Sequence, residues 1–206
     1  MAAVFARDVA TACAYGNDCV MVASEHGFAQ WAALGRILQG WASAQRGEAT
    51  TGIAHIRDGL AAYEATGARS GTTLSLALLA EALALAGKIE EGIAALDDAL
   101  AKAAVSGAKG WDAEIHRLRG ELAGRLPYPD PAKAEDSFRT ALAIAREQGT
   151  RGYELRAATS LARLWGEQDR RGEARELLAP VYGWFTEGFG TPDLKEAKAL
   201  LEELGA

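Results

Sequence analysis

Glu114, Arg117, Glu121 and Arg125 recur at steps of +3, +4 and +4, and further on Arg156, Arg163 and Glu167 recur at +7 and +4. On an α-helix these steps place each set on a single face. Two chemistries suit such rows. One is a charged groove that grips a carboxylate or an acidic peptide, with Glu114, Arg117, Glu121, Arg125, Arg156 and Arg163 as the candidate residues. The other is a ladder of ion pairs within and between neighbouring helices, worth about 0.2–0.5 kcal/mol per pair.

Other reactive groups give less. His26, His55 and His116 stand apart, without an HExxH spacing or a nearby cysteine, so no metal site is read. Glu90 and Glu91 open a helical segment, where carboxylates complement the helix dipole, and adjacent residues point in different directions. No serine sits in a G-x-S-x-G context and no GxxxxGK[ST] occurs. Gly188-Phe189-Gly190 follows a helical pattern rather than a strand, so it is no dinucleotide loop. The sequence therefore assigns no catalytic residue, no cofactor and no metal, and the chain is expected not to be an enzyme.

The totals set further bounds. The chain has 206 residues, 49% of them hydrophobic, enough for a substantial core. A net charge of −6 argues against nucleic acid and anionic membrane surfaces as partners. No apolar run approaches the ~20 residues of a membrane span, and the first residues lack the pattern of a secretory leader. Cys13 and Cys19 lie six apart, about 240° round a helix axis, which keeps them from pairing. A reduced, cytoplasmic protein is the expectation.

What positions the charged rows is a repeat. GIAHIRDGLAAYEATG (52–67), GIAALDDALAKAAVSG (92–107) and AEDSFRTALAIAREQG (134–149) align slot for slot. Each opens on a small residue (Gly52, Gly92, Ala134), sets a bulky one four later (Ile56, Leu96, Phe138), and closes on glycine. Ala174, Leu178 and Val181 continue the register, Gly27 begins it, and successive blocks lie 40, 40, 42 and 40 residues apart. Between the blocks runs a second helical pattern, the leading helix, at 31–45, 73–86, 111–124 and 153–165. The unit is thus helix–turn–helix, with the two extra residues of the longest period in LPYPDP (126–131). Glycines inside a helix cost about 1 kcal/mol each against alanine, so Gly52, Gly59 and Gly92 imply close helix–helix approach.

The expected fold is all-α, an α–α superhelix of tetratricopeptide type with about ten helices. WAALGRIL, with Trp31, Leu34, Gly35 and Leu38, matches the W-x2-L-G helix of tetratricopeptide repeats, and armadillo- or HEAT-type pairs compete on period alone. One repeat domain is expected over 1–206: a partial repeat (1–27), repeats at 28–67, 68–107, 108–149 and 150–188, and a capping helix at 191–205. In the cap, Thr191 suits the N-cap and Pro192 the first helical position, while Leu194, Ala197, Leu201 and Leu204 form the inward stripe. Tyr182, Trp184, Phe185 and Phe189 lie where this cap docks and are expected to seal it. Leading helices line the inner surface of such arrays. The matching face of the first two (Leu34, Leu38, Trp41, Leu74, Leu78) is apolar, so the groove is expected to pass from apolar to charged.

EHGFAQWAALGRILQGWA, LALLAEALALAGKIEEGIAALDDALA, AEDSFRTALAIAREQG and LLAPVYGWFTEGFGTPDLKEAKALLEEL resemble the C-terminal tetratricopeptide region of bacterial multidomain proteins, in which a class III adenylate/guanylate cyclase domain and an ATPase-like domain precede the repeats. The resemblance runs from Glu25 to Leu204, departs at Gly190, where relatives carry an acid, and carries over neither enzymatic activity. It implies a regulatory protein–protein interaction scaffold with a protein or peptide partner. Self-association through an uncapped N-terminal edge, giving a homodimer, and small-ligand sensing in the groove are the alternatives.

Overall fold

A computed structural model describes residue 4 and residues 7–205. Among the described residues the secondary structure is ten α-helices and one short 3-10 turn, Lys109–Trp111, with no strand. The helices are α1 (Val9–Glu25), α2 (Ala29–Gln45), α3 (Ala49–Ala65), α4 (Thr72–Leu85), α5 (Ile89–Ser106), α6 (Asp112–Ala123), α7 (Pro131–Glu147), α8 (Arg151–Glu167), α9 (Arg171–Gly183) and α10 (Pro192–Gly205). The all-α repeat pattern and the final helix match the sequence reading. The first residues of the partial repeat expected over 1–27 lie largely outside the described residues. The chain divides into two compact units, 1–111 and 112–206.

In the first unit α2 packs between α1 and α3, and α4 lies against α2, α3 and α5. Glycine makes these contacts close. A Cβ on Gly52 would lie 2.5 Å from the Gly40 carbonyl oxygen, and one on Gly35 would lie 2.9 Å from that of Gly16. Both pairs sit at backbone-to-backbone crossings, where any side chain would force the helices apart. α5 ends on Gly107, whose φ of 72° and N–H to the Ala103 carbonyl form a left-handed C-cap.

α4 is apolar on every side and correspondingly buried from Thr72 to Ala84, Glu81 alone being half-buried. Glu81 accepts a 2.5 Å hydrogen bond from Trp41 Nε1, tying two leading helices one 40-residue period apart. This corrects the expected apolar groove. Leu38, Trp41, Leu74 and Leu78 are at most 7% exposed and belong to the core.

The second unit pairs α6 with α7 and α8 with α9, and it also sets α8 against α6 and α10. Asp130 caps α7, accepting from Lys133 N at 3.2 Å, with Pro131 in the first turn. Phe138, Leu155, Leu161 and Leu178 form the core with Leu194, Ala197 and Leu200 of α10. The cap thus docks as expected, though Leu200 is its third buried side chain and Leu201 and Leu204 flank it. Thr191 stands before the first turn, but its hydroxyl donates to the Gly188 carbonyl at 2.8 Å instead of capping.

The aromatic seal needs correction. Tyr182 and Phe185 pack on the core, whereas Trp184 and Phe189 are 56% and 47% exposed. α9 stops at Gly183, before the end of the repeat expected over 150–188, and Trp184 follows as its C-cap residue. Trp184 instead packs edge-on against Phe185, with the Arg151 guanidinium 5.1 Å above its ring. Trp184→Ala is therefore expected to lower stability by less than about 1 kcal/mol, against ~2–5 kcal/mol for Leu178→Ala, both read from urea midpoints. A large loss from the tryptophan variant would restore the seal.

Candidate functional site

α6, α8 and α10 are consecutive leading elements of the second unit, and their neighbouring faces carry the charged rows. Glu114, 7% exposed, sits at the centre. Arg117 reaches it with two prongs, Nη2 to Oε1 at 2.8 Å and Nε to Oε2 at 3.0 Å, a bidentate geometry. Arg156, from α8, adds Nη1 to Oε1 at 3.2 Å. Its Nε meets Asp193 Oδ2 of α10 at 2.8 Å. One chain of charges therefore ties three helices together.

A second layer continues it. Arg117 Nη1 lies 3.2 Å from Glu121 Oε1, which also accepts from the Ser160 hydroxyl at 2.6 Å. Along α8, Arg163 Nη2 pairs with Glu196 Oε1 at 2.7 Å. Of the six candidates, Glu114, Arg117, Glu121 and Arg156 are brought together, and Arg163 extends the layer toward α10. Arg125 lies past the end of α6, exposed, its backbone N–H bonded to the Leu122 carbonyl.

Electrostatics follow burial and partner. Burial pushes the Glu114 carboxyl up, but Arg117 and then Arg156 outweigh it and hold the group below its ordinary value. Burial would lower the Arg156 pKa, yet Glu114 and Asp193 raise it. Tyr153 is pushed well above the usual phenol range by burial and by the Glu114 charge, so it stays neutral. On the neighbouring turn, Glu154 is buried and met by Arg146 and Arg151; its carboxyl, raised by burial, is drawn below its ordinary value by these two.

The sequence reading missed Asp193, Glu196 and Ser160. Asp193 and Glu196 lie on the final helix, outside the two charged rows from which the candidates are drawn. Their signal was complementarity: acids on α10 spaced to meet the α8 arginines. Among the described residues no cluster of His, Cys, Asp or Glu forms a metal-ligand set, and no helix is long and apolar enough to cross a membrane.

Known proteins place this architecture. No protein-family model matches the chain. An uncharacterized protein of Rhizobium meliloti (strain 1021) is 34% identical over 128 residues, which cover 62% of this chain and 12% of that protein. The chain thus spans about an eighth of that relative's length. Among solved structures, nearly identical TPR-like repeats assigned to a kinesin light chain of Podosopora anserina superpose with a TM-score of 0.60 at 18% identity, over 82% of this chain and 83% of that one. BtubC (BKLC) from P. vanneervenii gives 0.70 at 15% identity, over 98% and 89%. The fold is that of a tetratricopeptide-like helical-repeat protein.

Proposed function

We propose that the chain is a non-catalytic protein-interaction module whose partner-binding face is built by α6, α8 and α10. The observation that carries this reading is the shared charged face of three helices that alternate in sequence. Extended surfaces of this kind are what helical repeats offer to partners. Arg117 and Arg156, 15% and 14% exposed, are spent on holding the helices, while Arg163, 39% exposed, and Arg125 stand at the solvent edge. An acidic peptide segment fits these two edge arginines, and its carboxylates compete with Glu196 for Arg163.

The test is an array of acidic and neutral peptides probed with the protein, followed by titration of those retained. Arg125→Glu combined with Arg163→Glu is expected to weaken acidic peptides at least about ten-fold, the loss of one charged contact, with the helical signal unchanged. Retention of neutral peptides alone, or indifference to the double variant, removes the assignment.

The resemblance further supports a regulatory role as the repeat segment of a longer cyclase–ATPase signalling protein, working in the cytoplasm. The Rhizobium match, a small part of a much longer chain, agrees with it. A reading frame encoding those domains upstream of Met1 would establish it, and its absence would end it. A second reading, self-association, has its own observation. Tyr15, Met21, Val22, Phe28 and Trp31 are each about half exposed on α1 and the start of α2, an apolar concentration of the kind that marks contact surfaces. Light scattering that stays at one chain mass across concentrations eliminates it.

A further inference from the structure

The first unit carries a cleft of about 510 Å³ between the C-terminal ends of α3 and α5 and the segment that joins α3 to α4. This lies in the range of small-molecule sites. Its lining includes apolar groups, Ala68, Ala101 and Val105, the last 85% exposed at the mouth, together with the buried Thr72. The walls are fixed. Tyr63, 1% exposed, accepts the Gly71 N–H on its hydroxyl at 3.0 Å, which pins the joining segment. On the far side Ser106 donates to the Lys102 carbonyl and accepts from Ala108 N, which holds the end of α5.

Three charged side chains line the cleft: Glu64, Arg69 and Lys102. Lys102 is neutralised by both oxygens of Asp98, at 2.9 Å each. Among the described residues, neither Glu64 nor Arg69 makes a side-chain hydrogen bond or ion pair. The cleft thus presents a solvent-facing carboxylate and a solvent-facing guanidinium, neither engaged by a protein partner, beside an apolar lining.

We infer that this cleft binds a small zwitterion with one apolar arm, the chemistry of a free aliphatic amino acid. The ligand's ammonium meets Glu64, its carboxylate meets Arg69, and its side chain covers Ala101 and Val105. A guanidinium suits a carboxylate because its paired donors match the two oxygens. A neutral apolar molecule leaves both charges unanswered, and a singly charged one leaves its like-charged neighbour repelled.

The test is an amide-shift titration of the intact chain with L-leucine. Isovalerate, which lacks the ammonium, and isoamylamine, which lacks the carboxylate, serve as half-ligands. Leucine is expected to produce saturable shifts confined to residues 64–72 and 101–106. Each half-ligand, and leucine against E64Q or R69Q, is expected to bind at least about ten-fold more weakly, since each removes one charge-assisted contact. Both variants alter exposed side chains, so their helical signal serves as the control for folding. The proposal is overturned by the absence of saturation at about 20 mM leucine, by shifts centred elsewhere, or by variants that bind like the parent. Because the residues lie in the first unit, this result is independent of the Arg125 and Arg163 test.

Discussion

Replacing Arg117 with alanine is expected to destabilise the second unit by about 3–5 kcal/mol, the range for breaking a buried ion pair by removal of one partner. The cost comes from what stays behind. Glu114 is almost wholly buried and would keep only Arg156, while Glu121 would keep Ser160. A buried carboxylate left with that single partner either remains charged at a higher desolvation cost or takes up a proton. Arg117→Lys is expected to fall between parent and alanine variant, because it keeps the charge but loses the fork that engages both Glu114 oxygens. Amide exchange in α6 and α8 reads this locally. If the alanine variant stays within about 0.5 kcal/mol of the parent, the network is a surface ladder of the weak kind.

The same network sets a pH dependence with a definite sign. In the folded protein Glu114 and Glu154 are held below their ordinary carboxyl values. Between the folded and unfolded values the unfolded chain therefore binds more protons, and stability rises with pH. The contribution is fully present above the ordinary carboxylate pKa of about 4.3 and is lost as pH falls through the depressed folded values. Denaturation midpoints across pH 3–6 are expected to drop on the acid side, and Glu114→Gln to flatten that drop. An equal acid limb in parent and variant would remove Glu114 from the account.

How much of this was legible depended on which physical rule each feature obeyed. Helix pairing was legible because glycine and alanine recur at fixed slots, and only close packing explains glycine inside helices such as α3. Placing Glu114, Arg117 and Glu121 on one face, and Arg156 with Arg163 on another, needed only the helical period. Arg125 escaped that rule, since α6 stops at Ala123, before Gly124. Whether this face grips a peptide is a question about the partner, and the spacing does not answer it. The partners of the arginines were not legible either: pairing across helices depends on how each helix is rotated, and arginine reaches far enough to choose among several acids. Trp184 failed for another reason. Pro180 inside α9 removes an intrahelical donor and Gly183 ends the helix, so the aromatic run splits between core and solvent. Composition alone makes all four aromatics look alike.

Glycine at the α2–α3 crossing provides the second large effect. Gly52→Ala brings a helix-propensity gain of about 1 kcal/mol. Against it stands a methyl group placed 2.5 Å from the Gly40 carbonyl oxygen and 2.8 Å from the Ala44 Cβ. The first neighbour is backbone, and it retreats only if α2 and α3 separate along their length. Overpacking of this kind costs about 1–3 kcal/mol, and more where the backbone must move, so a net loss of about 2 kcal/mol is expected from the urea midpoint. Gly152→Ala separates packing from propensity. Its new methyl meets nothing within 4 Å, so a gain of up to about 1 kcal/mol is expected. If both substitutions stabilise, α2 and α3 have room to spare at their crossing. The recurring small residues of the second helices would then owe nothing to close approach.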